Sequence, residues 1–568
     1  MTATAALVHA HPELAIFAAI VLGFAIGRFH FKGVGLGTVV GTLIAGLAIG
    51  ILTKPEVPDL VKWAFFDLFL FAIGYGTGPQ FFAGLKKEAI PQIYLALVVA
   101  FTGLAAALGV AWAFKFDAGF AAGVASGSLT QSAALGTALV TIADLPISAE
   151  ARQTLSAHVP IADAVTYVMG DIGVILFLLA AAPMLLKANL REEAVKLEDS
   201  LARTAPTSAI RTALRRFSFR TYRVDAAALA GATVADLEAS LRADRVYVER
   251  IRRDGRIIDN VRPDTLIAKD DVLAIGARQG AFVVANSVIG EAVNDEALLD
   301  FPIRKEALVV TSRRIAGHSI EELTQHYGRG LYIARIMRGQ QELPVLPGTV
   351  IERGDVVRIV GSPANIERAI KTGGFVDPDP GRFALPFLAA GIAIGTVVGL
   401  AEVHIGNFPV GLGTSCAILV VGLVTGWARS RFPLFGGIPD DATRLLQDVG
   451  LTVFIAVVGL SAGPHAIAVL HDRGATFFLT IAGAGLIVML LPQLVGFWFG
   501  SRVLKMPLPI LLGALAGAQT ATPALNALKE AAGSNVFVLG YAIPYAINNV
   551  LLTLWGTVIV VVVNSWGR

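Results

Sequence analysis

Thr130, Gln131 and Ser132 follow a Gly123-x-x-x-Gly127-Ser128 stretch inside an apolar run. Thr520, Ala521 and Thr522 follow Gly513-x-x-x-Gly517-Ala518-Gln519 at a constant offset of 390 residues. Hydroxyls, amides and glycines in apolar surroundings are what an ion-binding break in a membrane helix requires. Backbone groups freed by such a break cannot be left bare in lipid, so it survives only where it lines a cavity or is buried in protein. Thr522-Pro523 reads as an N-cap followed by proline at the first helical position, and Ser132 occupies the same place in the first copy. Two half-helix N-termini meeting near the midplane would present N–H groups and positive dipole ends to an anion, and a carboxylate suits them. No Lys or Arg lies at the centre of an apolar segment, so helix ends and hydroxyls would hold the charge unaided. A single Gly-x-x-x-Gly is a helix-packing signal. Its duplication in register with Thr, Gln and Ser or Thr points instead to a transporter's binding site.

The last apolar segment of each half carries a second constellation. Asp163, Tyr167 and Asp171 stand at i, i+4 and i+8 and share one helix face, as do Tyr541, Tyr545 and Asn549. Gly170-Asp171 corresponds to Asn548-Asn549. An ionisable residue within a membrane segment is a functional candidate. Asp171, about half-way along its span, would hold a substrate ammonium or bind a proton, whereas Asp163 reads as equally suited to mere solvation at the interface. The expected substrate-binding set is Gly127, Ser128, Thr130, Gln131, Ser132, Tyr167 and Asp171 from the first half, with Gly517, Gln519, Thr520, Thr522, Asn526, Tyr545, Asn548 and Asn549 from the second. Gly78-Pro79 and Gly463-Pro464, at the ends of the third segments, read either as further breaks or as helix stops. His158 and His471 read as loop or boundary residues, and no metal-ligand spacing occurs.

These residues need membrane helices to position them. The chain of 568 residues is 55% hydrophobic and 16% charged, too apolar for a soluble enzyme of this size. Ala188 to Arg382 holds 29 of the 46 Lys+Arg and 27 of the 43 Asp+Glu, so a soluble module interrupts two apolar halves. The net charge of +3, without basic runs interleaved with aromatics, gives no footprint for nucleic acid. The single Cys416 lies in an apolar stretch and reads as a packing residue. No Lys or Arg precedes the first apolar run, while Arg28 and Lys32 follow it. That is the reverse of a cleavable signal peptide, and it places the N-terminus outside.

Each half has six apolar segments, and the halves match further: Gly33-Val-Gly-Leu-Gly-Thr38 with Pro409-Val-Gly-Leu-Gly-Thr414, and Gly76-Thr-Gly-Pro79 with Ser461-Ala-Gly-Pro464. Six crossings per half would give parallel repeats; five crossings plus a re-entrant Gly/Thr segment would give inverted ones. With five, Arg28, Lys32, Lys86, Lys87, Lys187, Arg191, Arg429, Arg431, Arg444, Arg502, Lys505 and Lys529 are cytoplasmic and Lys54, Lys62, Lys115, Arg152, Arg473 and Arg568 are outside, a bias that favours inversion. The expected fold is a polytopic α-helical membrane protein of two inverted repeats, each about five transmembrane helices plus a re-entrant or broken segment, over residues 1–187 and 383–568.

The module, 188–382, also repeats. Val246–Ile251, an Asp254-Gly255 turn, Pro263-Asp-Thr265 and Asp271–Ile275 recur in order as Leu331–Ile336, Pro347-Gly-Thr349 and Asp355–Ile359. Each set follows a capping-box helix start, Thr233 with Asp236 and Ser319 with Glu322. Two α+β lobes are expected, at about 207–289 and 305–374.

On the two Gly-x-x-x-Gly-x-x-Thr segments, the paired Gly-Pro dipeptides and the central lobes, the chain resembles the aspartate:alanine exchanger (AspT) family over nearly its whole length. The lobes resemble the C-terminal lobe of potassium-conductance regulators (TrkA-C, or RCK-C). The resemblance implies a multi-pass secondary transporter of the bacterial inner membrane that exchanges amino or dicarboxylic acids, without a cofactor. It also implies homodimers and inverted repeats, while the charge bias puts the module in the cytoplasm and both termini outside. A small regulatory ligand on the lobes and a purely structural role for them stay equally open. The competing reading is a cation or proton antiporter, or a potassium-linked transporter, gated by the lobes. It has Asp171 in its favour; against it, no adjacent carboxylates sit at a break and no potassium-filter sequence is present. No nucleophile, base and metal set converges in the apolar halves, which leaves an enzyme the weakest reading.

Overall fold

A computed structural model describes residues 7–8, 10–28, 30–31, 34–35, 37–84, 89–202, 217–225, 229, 231–241, 246–259, 261–278, 282, 288–338, 341–376, 385–405, 408–411, 413–432 and 437–566. Gly33 and Leu412 of the matched pair, and the charges of Lys32, Lys86 and Lys87, lie outside them. The chain divides into two compact units, one built mainly from Met1–Val195 and Pro378–Arg568 and the other from Lys196–Met337 with Glu342–Asp377.

The first half runs α1 (Pro12–Gly27), a short β1–β2 ribbon (His30–Phe31, Val34–Gly35), α2 (Thr38–Thr53), α3 (Asp59–Gly84), α4 (Ile90–Ala113), α5 (Ala118–Ser128), α6 (Ser132–Asp144) and α7 (Ala149–Leu176), the last extended through a π-turn to Leu186. After the polar helix α8 (Leu190–Ala202), the first lobe holds β3 (Phe217–Arg223), α9 (Val234–Ser240), β4 (Tyr247–Arg253), β5 (Arg256–Ile258), β6 (Val272–Arg278) and β7 (Ala292–Val293). The second holds β8 (Arg304–Val310), α10 (Ile320–Tyr327), β9 (Leu331–Arg338), β10 (Gln341–Leu343), β11 (Val356–Gly361), α11 (Pro363–Gly373) and β12 (Gly374–Val376). The second half then repeats the first: α12 (Leu385–Gly399), a β13–β14 ribbon (Glu402–Ile405, Phe408–Gly411), α13 (Gly413–Arg431), α14 (Asp440–Arg473), α15 (Ala475–Trp498), α16 (Leu508–Ala518), α17 (Thr522–Ala532) and α18 (Val538–Ser565). Among the described residues six helices are long and apolar enough to cross a membrane.

The halves contact each other reciprocally. α3 packs on α13 and α14 on α2; α7 packs on α15 and α18 on α4. Glycines set these distances. A Cβ at Gly74 or Gly78 would strike the carbonyls of Leu419 or Leu423, and one at Gly459 or Gly463 those of Leu43 or Leu47, the corresponding residues of the opposite half. This corrects one expectation. Pro79 and Pro464 lie inside the continuous helices α3 and α14 and neither break nor stop them. Gly78 and Gly463 are close-packing positions, and proline is tolerated in such helices because neighbouring groups and local adjustments re-satisfy the freed backbone.

Each lobe is a five-stranded antiparallel sheet of the same order, β5-β4-β6-β3-β7 and β10-β9-β11-β8-β12. Asp254 and Gly255, at φ 48° and 77°, make the tight β4–β5 turn, where consecutive left-handed residues match the twist of the strands. Thr233 with Asp236 and Ser319 with Glu322 form reciprocal capping boxes at α9 and α10. Arg329 joins the lobes through its fork on Glu238, at 2.9 and 3.0 Å.

Candidate functional site

Both Gly/Thr segments break in the same way. Leu129 caps α5, Thr130 turns left-handed at φ 52°, Thr130 N–H donates to Gly127 O (3.0 Å) and Gln131 N–H to Ser126 O (2.8 Å). Thr520 turns at φ 53°, its N–H donates to Gly517 O and that of Ala521 to Ala516 O, each at 2.9 Å. This is the Schellman arrangement, with threonine where glycine is usual. α6 and α17 start immediately afterwards, and the first N–H groups of a helix have no partner within it.

Ser132 and Thr522 are the first helical residues, not the caps. Gln131 and Ala521 occupy the cap positions, and no side chain caps either helix. The expectation of a Thr522 N-cap is therefore corrected: the left-handed turn ends one residue before it, and its hydroxyl instead shares a 2.8 Å hydrogen bond with the Tyr541 hydroxyl. Tyr541 stacks on Tyr545 at 5.0 Å.

The glycines face the last helices. A Cβ at Gly119, Gly123 or Gly127 would meet the carbonyls of Leu155, Val159 or Asp163 on α7; one at Gly513 or Gly517 would meet those of Phe537 or Tyr541 on α18. Gly127 and Gly517 thus set the approach of α5 to α7 and of α16 to α18.

The two breaks touch. Thr130 Oγ1 donates to Gln519 O at 2.8 Å, and Gln131 Nε2 to Asn549 Oδ1 at 3.3 Å. Asn548 Nδ2 donates to Ala518 O (2.5 Å) and Ala96 O (3.2 Å). Gln519 is fully buried, donating to Met489 O and accepting from Gln493 Nε2. Among the described residues, five buried polar atoms around the breaks lack a hydrogen-bond partner: Ser128 Oγ, Thr520 Oγ1, Asn548 Oδ1, Asn549 Nδ2 and Gln493 Oε1. Buried polar groups are ordinarily paired, so a cluster of exceptions calls for an explanation.

Asp171 is 6% exposed and makes no hydrogen bond or ion pair among the described residues. Asp163 is 1% exposed, so solvation at the interface is not its role; it meets Ser126 Oγ at 2.5 Å. His158 lies within α7, not in a loop, stacked on Phe120 at 4.0 Å and 2.8 Å from Asp117. Asn526 is exposed on α17 and is not brought to the other residues.

A cavity of about 50 Å³ opens beside the second break, lined by Thr77, Gln80, Gln447, Thr522, Tyr541 and Tyr545. Thr77, Gln80, Gln447 and the nearby Gln493 were not anticipated. The signal was present, since each is a polar side chain within an apolar segment.

The family model described as predicted permease membrane region (Asp-Al_Ex) matches residues 15–183 and 387–561, and the TrkA-C domain model matches 305–372, the second lobe. An uncharacterized transporter of Bordetella parapertussis is 48% identical over 98% of both chains. Another, from Bradyrhizobium diazoefficiens, is 40% identical over 89% of this chain and 98% of its own. A third, from Shewanella oneidensis, is 35% identical over 97% and 98%. No solved structure matches. With its permease region in two parts around a TrkA-C lobe, the chain is a multi-pass membrane transporter and belongs to the aspartate:alanine exchanger family.

Proposed function

We propose that the protein is a secondary exchanger of amino acids or dicarboxylates, with the substrate carboxylate held where the two breaks meet. The observation that carries this is the cluster of unpartnered buried donors and acceptors at Ser128, Gln493, Thr520, Asn548 and Asn549, beside the first turns of α6 and α17. Helix N-termini favour negative charge, and the hydroxyls of Ser132 and Thr522 stand on those first turns. In this reading Gly127 and Gly517 set helix spacing, Thr130 and Gln131 tie the breaks together, and Tyr167, Tyr545 and Asp171 face the substrate. Asn526 has no part in it.

Contact order along the helices supports re-entrant segments and inverted repeats. Gly119, Gly123 and Gly127 meet Leu155, Val159 and Asp163 in step, so α5 and α7 run the same way from the same side. α6, between them, must then return. Gln131, Thr137 and Thr141 meet Asn549, Thr553 and Thr557 in step, so α6 runs with α18. Hence α18 opposes α7, as inversion requires. The charge bias supports lobes in the cytoplasm and both termini outside, in the bacterial inner membrane. Homodimerisation rests on the family resemblance alone.

Coupling to a proton or cation is a second reading, and one observation favours it: Asp163 and Asp171 are buried without a basic partner. Counterflow from proteoliposomes loaded with aspartate, alanine, glutamate or succinate tests the leading reading. Accumulation of label with at least one of the four is expected; none with any of them refutes it.

A further inference from the structure

The two lobes share one fold but not one core. Register aligns Tyr222 of β3 with Leu308 of β8, since Tyr222 opposes Leu273 and Ala292 where Leu308 opposes Val357 and Val376. Continuing along the chain, Phe282 corresponds to Ile366 and Ile289 to Gly373. In the first lobe Tyr222 and Ile289 are fully buried; Tyr222 lies over Phe282 at 6.3 Å and donates to its carbonyl. The second lobe replaces these three large side chains by Leu, Ile and Gly, and a cavity of about 330 Å³ opens between its sheet and the helices α10 and α11. Leu308, Leu323, Ile333, Ile351 and Ile359 line it, and Leu308 packs over Gly373, its Cδ2 2.9 Å from where a Cβ would stand. Protein interiors are packed to crystal-like density with few voids larger than a water molecule. In the paralogous lobe the larger Tyr222 occupies the position of the lining residue Leu308.

The mouth is basic. Arg368, Arg329 and His326 border it, and no Asp or Glu is among its lining residues. Arg329 is engaged by Glu238 and its neighbour Arg368 donates to the Arg329 carbonyl. Desolvation and the adjacent Arg329 charge, partly offset by Glu249 and Glu238, hold the Arg368 guanidinium below its ordinary pKa, so an anion at this mouth would be welcome.

We propose that the second lobe binds a small aromatic carboxylate, its ring seated where the first lobe places the Tyr222 ring and its carboxylate on Arg368. One ring replaces that of Tyr222, whose counterpart Leu308 lines the cavity, and a pocket of this volume is at the small end of ligand sites. The site is independent of the substrate reading, because binding is measured directly and not through transport.

The test is calorimetric titration of the full-length protein in nanodiscs with 3-phenylpropionate, 3-phenylpropanol and propionate. The acid is expected to bind once per chain, about tenfold or more tighter than the alcohol, the scale of a charge-assisted hydrogen bond, while propionate shows no saturation. Leu308→Tyr should abolish binding at an unchanged or raised melting temperature, and Arg368→Gln should bring the acid down to the alcohol. No saturation by 3-phenylpropionate overturns the proposal, as does unaltered affinity in a folded Leu308→Tyr protein. A Leu308→Tyr protein whose particle mass falls from dimer to monomer also overturns it, because the face would then be an interface between copies.

Discussion

Thr130 and Thr520, one in each half, share a left-handed backbone conformation, and the Thr130 hydroxyl bonds the carbonyl of the residue just before Thr520, while the Thr520 hydroxyl has no partner among the described residues. A β-branched residue at positive φ is an outlier, and left-handed geometry costs an L-residue about 1–2 kcal/mol. Glycine would serve the turn better, so the threonines are there for their hydroxyls. Thr520→Gly is expected to raise the melting temperature of the purified protein. Thr130→Gly should leave it nearly unchanged, since the strain relieved is offset by loss of a hydrogen bond worth about 1 kcal/mol. Equal shifts in the two variants would contradict the assignment.

Gly127 and Gly517 have no room for a methyl group, because the helix backbone at Asp163 and at Tyr541 lies against them. Gly127→Ala and Gly517→Ala should each cost about 1–3 kcal/mol by overpacking, read as a lower melting temperature. Ala at the open Gly109, which has nothing near its Cβ position, is the control expected to show no loss.

Burial raises the pKa of the Glu249 carboxyl, between the lobes, against the opposing pull of Ser362 and Arg329. The folded state therefore binds a proton that the unfolded state has released between the ordinary Glu pKa and the raised one. Stability from this group is present below the unfolded pKa and lost as pH rises through the folded value. Glu249→Gln should flatten that fall in the pH profile of lobe unfolding. A profile as steep as that of the parent protein would argue against it.

In the proposed reading Asp171 chooses between substrates with and without an ammonium group. Asp171→Asn should raise the KM for aspartate and alanine by about tenfold or more, the size of one charged hydrogen bond, and leave succinate nearly unaffected. If Asp171 serves cation coupling instead, the variant loses dependence on the cation gradient while carboxylate binding persists.

The duplication was legible because Gly123, Gly127, Gly513 and Gly517 had to be small to admit the neighbouring backbones, and Thr130 and Thr520 repeat with them. The lobes were legible through alternating strands and capping boxes, which are local signals. Pro79 and Pro464 were misread because proline's local cost is met by tertiary packing that no short window reveals. Thr522 was misread by one position because the left-handed turn lies at Thr520, a backbone state that a β-branched residue does not advertise. Gln80, Gln447 and Gln493 were missed because they lie outside the matched segments, and what joins them to the site is tertiary packing. The open core of the second lobe emerges only when Leu308, Ile366 and Gly373 are set beside Tyr222, Phe282 and Ile289 in space.

The central claim is that carboxylates bind where the two breaks meet. Counterflow in proteoliposomes, run over the four-substrate panel with Thr130→Ala and Thr520→Ala beside the parent protein, tests it most directly. The account predicts exchange by the parent, a rise in KM of about tenfold in folded Thr520→Ala, the scale of one hydrogen bond to a charged group, and a raised KM in folded Thr130→Ala through loss of the Thr130–Gln519 tie between the breaks. Exchange with an unchanged KM in both variants would contradict it.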